Sequence, residues 1–350
     1  MSNFFKKLFP LLSKDLGIDL GTRNTVVYSP GEGIVLSEPS MVALDKKTGS
    51  VMATGYAAYN MVGRTPGNII AVRPMKDGVV ADFNIAEKMF AAFVKKTKLV
   101  GKFKKSRILI GIPWGITNVE KRAVCDAAFQ AGATESLLIE EPMAAAVGAA
   151  LDVTEPRGKL IVDIGGGTTE VAVISLSGIV VCKSIRVAGD EFDEAIVQHC
   201  RQHYNLLIGD RMAERVKIEI GSACPFEEEK TLAVKGRDLV SGLPKTFTLS
   251  SYEIRDALAE TLASIISTIR STLEDTPPEL SGDILADGIT MTGGGSLLYG
   301  ICERIENETQ LKVKRAKDPL TCVADGTGKI LENQLLMQKV SSTITSRNTV

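Results

Sequence analysis

Residues 18–27 read IDLGTRNTVV and residues 162–171 read VDIGGGTTEV. Each runs apolar, Asp, apolar, Gly, then a short variable turn that closes on Thr and an apolar strand. Each is therefore a strand, a glycine turn and a strand, and the unit occurs once in each half of the chain. A glycine turn between strands gathers backbone N–H groups into a concavity that no side chain obstructs, and such a concavity binds anions. Gly21, Thr22, Arg23, Asn24 and Thr25 offer the first concavity, and Gly165, Gly166, Gly167, Thr168 and Thr169 the second. An aspartate precedes each turn, Asp19 and Asp163. Carboxylates beside a polyphosphate repel it unless a hard cation lies between them. Mg²⁺ needs only one or two carboxylates besides water and phosphate oxygens. Two opposed loops of this kind suit one Mg-nucleotide clamped between two lobes.

A single copy would be a weak signal, because glycine turns after strands are common. The matched pair carries the weight, together with a third glycine turn after an apolar strand in ITMTGGGSL, 289–297. The chain has no GxxxxGK[ST], which removes the P-loop class. No GxGxxG follows the first strand, which argues against a Rossmann dinucleotide site.

Outward from these units, the pattern alternates strands and helices, as an α/β fold does. Residues 16–29 and 159–181 read as strand–turn–strand. Residues 84–98 read as an amphipathic helix, and RILIGI (107–112) as a buried strand before Pro113. Asn118 is placed to cap a helix through about Ala131, stopped near Gly132. Glu140-Glu141-Pro142 opens an Ala-rich helix, with Pro favoured in the first turn because its missing N–H would be unpaired there anyway. Residues 222–250 read as strand-like pieces of a small inserted subdomain. The polar tail from Ser341 onward is expected to fray.

The length, 350 residues, suggests two domains or one bilobed one. Hydrophobic residues make up 44% and charged residues 24%, the balance of a globular protein with ample core. A net charge of −1 gives no overall bias toward nucleic acid. The six cysteines are scattered without CxxC spacing, as reduced core residues of a cytosolic protein would be. His199 and His203 lie four apart and would share a helix face. With no Glu or Cys beside them in zincin spacing, a plain helix face is expected. No apolar run approaches the ~20 residues that span a bilayer, and no small-residue cleavage site suggests a removed signal peptide.

The two loops resemble the phosphate loops of the actin, sugar-kinase and heat-shock-chaperone ATPase superfamily. Beyond them the chain resembles the MreB family along nearly its whole length. The matching segments are GIVLSEPS (33–40), GRTPGNI (63–69), RPMKDGVVADF (73–83), EEPMAAAVGA (140–149), AGDEFDEAI (188–196), AERVKIEIGSA (213–223), PPELSGDI (277–284) and TGGGSLL (292–298). The resemblance implies an α/β, actin-like (ribonuclease H-like) two-lobed ATPase fold with four subdomains. Residues 16–42, 76–155 and 325–350 would form subdomain IA and 43–75 subdomain IB. Residues 156–191 and 256–324 would form IIA, and 192–255 IIB.

The resemblance also implies roles. Asp19, Asp163 and Glu141 would hold Mg²⁺, partly through water. Thr22, Arg23 and Asn24 after Gly21 would contact phosphates from one side, and Gly165, Gly166, Gly167 and Thr168 from the other. The stretch Glu214, Arg215, Val216 and Lys217 would lie at the nucleoside sugar. Gly293, Gly294, Gly295, Ser296 and Leu297 would form the adenosine-side loop. Glu141 matches the family's water-positioning acid, with Thr168 its partner. Without the resemblance, Glu214, Lys217 and Ile218 are an ordinary solvated helix face, and Glu141 a carboxylate favoured by a helix start. Arg23 departs from the family, which has a small residue there. Its guanidinium could add a phosphate contact or crowd the loop.

Two features point to a membrane. At 100° per residue, Phe4, Phe5, Leu8, Phe9, Leu11 and Leu12 fall within an arc of ~160°, with Lys6, Lys7 and Lys14 outside it. An interfacial helix over residues 1–15 has this pattern, although Pro10 removes an N–H and would kink it. Residues 88–119 are basic up to Arg107, with Leu99, Val100 and Phe103 interleaved among Lys88, Lys95, Lys96, Lys98, Lys102, Lys104 and Lys105. Apolar tips in a basic loop suit lipid headgroups better than nucleic acid. The resemblance adds filaments of paired protofilaments on the inner membrane face, guidance of cell-wall synthesis, and the partners MreC, MreD and RodZ. A small-molecule kinase on the same fold would need a substrate pocket with its own base, and no such constellation is seen. An ATP-driven chaperone would need a further domain after TGGGSLL, and too few residues follow to expect one.

Overall fold

The computed structural model describes residues 14–99 and 106–348. The two strand–turn–strand units lie at corresponding places in two sheets. The first sheet has six strands, in the order Ile344–Asn348, Glu135–Glu140, Arg107–Ile112, Leu16–Leu20, Asn24–Ser29, Gly33–Pro39. The second has five, in the order Gly178–Ile185, Thr169–Ser175, Lys159–Ile164, Ile289–Thr292, Val313–Arg315. In both, an antiparallel meander of three strands passes into parallel strands on one side. The repeat in the sequence is thus the start of a repeated folding unit.

The central strands are apolar on both faces, because helices cover both. In the first lobe Leu16, Ile18, Ile108 and Ile110 bury against Met89, Phe90 and Phe93 of the helix Phe83–Thr97. In the second lobe Leu160, Val162, Ile289 and Met291 bury against Phe192 and Ile196 of the helix Gly189–Tyr204 and Ile265 and Ile269 of the helix Ser251–Glu274. A third core joins the lobes. Leu109 and Ile139 of one sheet and Ile161, Ala172 and Ile174 of the other pack on the helix Glu141–Gly148 and on Cys322–Glu332. These two helices cross with their backbones in contact. A Cβ on Gly326 would lie 1.8 Å from the Ala144 carbonyl oxygen. The alanine-rich sequence of the first helix and the glycines of the second allow that approach.

A small sheet of Val42–Asp45, Val51–Thr54 and Ile69–Val72 extends the first lobe, and one of Leu206–Leu207, Thr231–Asp238 and Pro244–Ser250 extends the second. Two expectations are corrected. The cap of the helix Asn118–Gln130 is Thr117, not Asn118, because Thr117 and Glu120 form a reciprocal capping box. The tail does not fray from Ser341: Ile344–Asn348 pairs antiparallel with Glu135–Glu140 and completes the first sheet. Its alternating ITSRN pattern suits an edge strand. The six cysteines are free, and the rings of His199 and His203 lie 4.5 Å apart, tilted by 33°, on one helix face.

Candidate functional site

A cavity of about 810 Å³ opens between the two sheets, with the paired glycine turns on its walls. The first lobe contributes Asp19, Gly21, Thr22, Arg23, Asn24 and Glu141, and the second Asp163, Gly165, Gly166 and Thr168. Asp19 sits near the end of its strand with Gly111 beside it in parallel register, and Asp163 stands likewise beside Thr292. Gly111 leaves room for Glu141, whose Cγ would be 3.3 Å from a Cβ there. Two sequence-distant halves thus bring three carboxylates to one wall.

The first turn is held by a side chain behind it and the second by backbone bonds. Ser40 Oγ donates to the Gly21 carbonyl at 2.6 Å. In the second turn the Gly165 N–H donates to the Thr168 carbonyl at 2.8 Å. The N–H groups of Gly189 and Asp190 bond the carbonyls of Gly165 and Gly166, at 3.2 and 2.7 Å, which ties those carbonyls to the helix and not to the cavity.

The carboxylates are buried, and burial raises each of them. Burial, then the charge of Asp163, pushes the Asp19 carboxyl up to about 7. Burial pushes Asp163 up to about 6. Glu141 is raised well above its ordinary value by burial, then by Glu170, Asp19 and Asp163. Glu170, buried behind the site, is pushed up to about 8, chiefly by burial, although it accepts the Trp114 N–H at 2.7 Å. Asp163 Oδ1 is buried without a hydrogen-bond partner among the described residues. These groups fit Mg²⁺ bound mainly by phosphate and water. They do not make a protein-only cage, since no group of three or more His, Cys, Asp or Glu among the described residues is placed to hold a metal. The expected Asp19, Asp163 and Glu141 set already relied on water and phosphate oxygens beside the carboxylates, and these three groups would need both to hold a cation.

The rest of the wall comes from the helix Asp210–Ile220, through Glu214 and Lys217, and from the turn after Ile289–Thr292, through Gly293, Gly294, Gly295 and Leu297. Six expected residues do not line the cavity; two of them, Thr25 and Thr169, are buried, with their hydroxyls bonded to Ser40 Oγ and to the Val187 carbonyl. Val216 is fully buried on the inner face of its helix. Arg215 points outward, paired with Glu219 at 2.7 Å. Ser296 is buried, and its hydroxyl donates to the Gly293 carbonyl at 2.6 Å. Gly167 packs beneath Asp77 and Thr22, both 2.9 Å from the place of a Cβ. Arg23 lines the cavity, but its guanidinium pairs with Asp190, Asp193 and Glu214 of the second lobe.

Sequence reasoning missed Gly78, Phe226, Lys230 and Tyr299, which also line the cavity. Phe226 and Tyr299 stack 4.2 Å apart, with the Lys230 ammonium 4.3 Å over the Phe226 ring, at the end toward Gly293–Leu297. Only Gly78 carried a readable signal, the Asp77-Gly78 pair of a tight hairpin. Of the membrane-facing expectations, Phe4, Phe5, Leu8, Phe9, Val100 and Phe103 lie outside the described residues. Leu99 is partly buried against the first-lobe core, so it is not a free apolar tip. Lys96 pairs with Glu38 and Arg107 with Asp15, each at 2.6 Å, which removes two cations from the expected basic patch. No helix among the described residues is long and apolar enough to cross a membrane.

Two lobes built on the same meander, joined by a crossing helix pair and facing each other over paired glycine turns, define an actin-like protein. The chain belongs to the MreB/Mbl family, whose model matches residues 13–339. It is 52% identical to the cell shape-determining protein MreB of Escherichia coli K12 over 93% of this chain and 96% of that one. To the cell shape-determining protein Mbl of Bacillus subtilis it is 48% identical, over 92% and 97%. Among solved structures, MreB5 of Spiroplasma citri bound to AMPPNP superposes with a TM-score of 0.88 at 42% identity, covering 94% of this chain and 98% of that one. The MamK double helical filament, at 22% identity and TM-score 0.76, shares the fold.

Proposed function

We propose that this protein binds Mg-ATP in the cleft and that binding and slow hydrolysis govern its assembly into membrane-associated, actin-like filaments. On this reading the filaments lie at the inner face of the cytoplasmic membrane and organise cell-wall synthesis, which sets cell shape. The observation that carries it is that Asp19 and Asp163, each near the end of a matched strand and just before a glycine turn, line one cavity. The names of the relatives support the cell-shape role, and the AMPPNP and ADP bound by the Spiroplasma protein support the nucleotide.

Gly21, Thr22 and Asn24 cradle the phosphates from the first lobe, and Gly165, Gly166 and Thr168 from the second, through backbone N–H groups and hydroxyls. Asp19 and Asp163, with Glu141, would hold Mg²⁺ partly through water, and the ion would neutralise phosphate charge. Glu141 orients a water in line with the terminal phosphorus, with the Thr168 hydroxyl as its partner. Phosphoryl transfer is chiefly positioning and electrostatics, so these groups suffice. Glu214 and Lys217 lie at the sugar, and Gly293, Gly294, Gly295 and Leu297 at the base. Nucleotide and polymer contacts are then linked equilibria. Residues 1–15, with Val100, Phe103 and the lysines around them, supply the membrane contact, and MreC, MreD and RodZ are the expected partners.

Sedimentation and electron microscopy of the purified protein, with Mg-ATP and anionic liposomes, test this reading. Filaments that require ATP are expected. An absence of pelleting in ATP, with sugar or acetate phosphorylation instead, would replace it with a kinase. Deleting residues 2–12 is expected to lower liposome co-sedimentation, and equal binding would remove the terminal anchor.

A further inference from the structure

Arg23 stands in the first phosphate turn, where a side chain pointing into the cavity would meet phosphate. It goes elsewhere. Its stem crosses the second turn, with Cγ only 2.3 Å from where a Cβ on Gly166 would be. Its guanidinium then reaches Asp190 and Asp193 on the helix Gly189–Tyr204 and lies 3.3 Å from Glu214. All three acids belong to the second lobe. Two further first-lobe groups reach the same cluster: the Tyr59 hydroxyl donates to Glu214 at 2.8 Å, and Arg73 lies 3.9 Å from Asp190. Lys217 closes the set at 2.9 Å from Asp193.

Three carboxylates, Asp190, Asp193 and Glu214, therefore face three cations, Arg23, Arg73 and Lys217. The cluster is neutral without a nucleotide, and no carboxylate in it needs a phosphate-bound cation to balance it. The Arg23 side chain is 15% exposed and Asp193 6%. Moving Arg23 to the phosphates would leave buried Asp193 with Lys217 alone and take a cation from partly exposed Asp190 and Glu214, a costly arrangement. Burial works against the Arg23 charge, but Asp193, Asp190 and Glu214 outweigh it and hold the guanidinium above its ordinary value.

We propose that Arg23 is a positioning residue that clasps the first lobe to the second at the mouth of the cleft and sets lobe separation, and that it is not a phosphate ligand. Glu214 links the clasp to the site. One of its oxygens faces Arg23 and the other Tyr59, and an ionised carboxylate has acceptor capacity left for sugar hydroxyls. A nucleoside on Glu214 thus meets a residue already placed by the opposite lobe. This link rests on the nucleotide reading above; lobe separation in nucleotide-free protein does not.

The experiment measures lobe separation by pulsed electron resonance in the full chain. Labels are attached by non-cysteine chemistry at exposed Met52 and Val240. Arg23→Ala, Asp193→Asn and the double variant are compared with wild type without nucleotide, then titrated with Mg-ATP and Mg-ADP. Each single variant is expected to lengthen and broaden the distance distribution, and the double variant to add little. Affinities for Mg-ATP and Mg-ADP are expected to fall by a common factor, roughly 10-fold. If Arg23→Ala leaves the distance unchanged and weakens Mg-ATP far more than Mg-ADP, while Asp193→Asn changes neither, Arg23 is a phosphate ligand and the clasp is wrong. Should buried Asp193→Asn fail to fold, Asp190→Asn takes its place, with the same expectation. Wild type that binds neither nucleotide would remove the reading of the site, while the distances would still decide the clasp.

Discussion

Gly78 of the first lobe rests on Thr168 of the second: a Cβ at position 78 would lie 2.4 Å from the Thr168 methyl. Asp77 and Gly78 have φ of 51° and 75° and turn the short pair Met75–Lys76 and Val79–Val80. The Gly78 N–H also donates to Thr22 Oγ1 at 3.1 Å. One glycine therefore touches both proposed phosphate loops. Gly78→Ala would strain the left-handed backbone by ~1–2 kcal/mol and push against Thr168. The expected outcome is a fall in ATP turnover of about 10-fold, with a modestly lower melting temperature. Phosphate release and a thermal melt measure the two, and unchanged turnover would mean that the contact has no part in the reaction.

Glu141 is buried at the start of its helix and lines the cavity, where it is proposed to orient the attacking water. Glu141→Ala should bind Mg-ATP with nearly wild-type affinity and lose turnover by roughly 10²-fold or more. Binding is read by equilibrium titration and turnover by phosphate release. Retained hydrolysis would take this role away from Glu141.

The carboxylates also set a pH dependence. The folded-state values of about 7 for Asp19, 6 for Asp163 and 8 for Glu170 lie above the ordinary 3.8, 3.8 and 4.5. A folded value above the unfolded one means that the folded state holds its protons more tightly. The stability this gives is complete below about pH 4 and is lost as pH rises through 6 to 8. Nucleotide-free protein in chelator is expected to melt at a lower temperature at pH 8.5 than at pH 5.5. Mg-ADP should shrink the difference, because a cation favours ionised Asp19 and Asp163. A melting temperature that rises with pH in chelator would contradict the placement of these carboxylates.

The proposed site was readable where chemistry is local and unreadable where packing decides. IDLGTRNTVV and VDIGGGTTEV carry their turns and aspartates in consecutive residues, so both hairpins were legible. Arg23 was not, because its partners lie 167 and 170 positions away and no local rule selects them over a phosphate. Val216 and Ser296 sit in matching motifs, but helix phase turns one into the core and a 3₁₀ turn buries the other. The tail strand Ile344–Asn348 was missed because a polar edge strand reads like a loop until its partner, Glu135–Glu140, is known.

The joint between the lobes gives a paired prediction. Gly282 and Gly326 both lie inside helices, Pro278–Asp287 and Cys322–Glu332. Around Gly282 a Cβ would meet nothing within 4 Å, whereas at Gly326 it would lie 1.8 Å from the Ala144 carbonyl oxygen and 2.6 Å from its carbon. In an open helix, Gly→Ala stabilises by roughly 0.5–1 kcal/mol through reduced backbone entropy. At Gly326 that gain is overwhelmed, because the obstructing atoms are backbone and the two helices must move apart, which costs ~1–3 kcal/mol or more. Gly282→Ala should therefore raise the melting temperature and Gly326→Ala lower it, although helix propensity alone makes them equivalent. Because the crossing carries both lobes, Gly326→Ala should also weaken Mg-ATP binding, which Gly282→Ala should leave unchanged. If the two variants melt alike, the helices are not in backbone contact, and the close crossing that joins the two lobes is wrong.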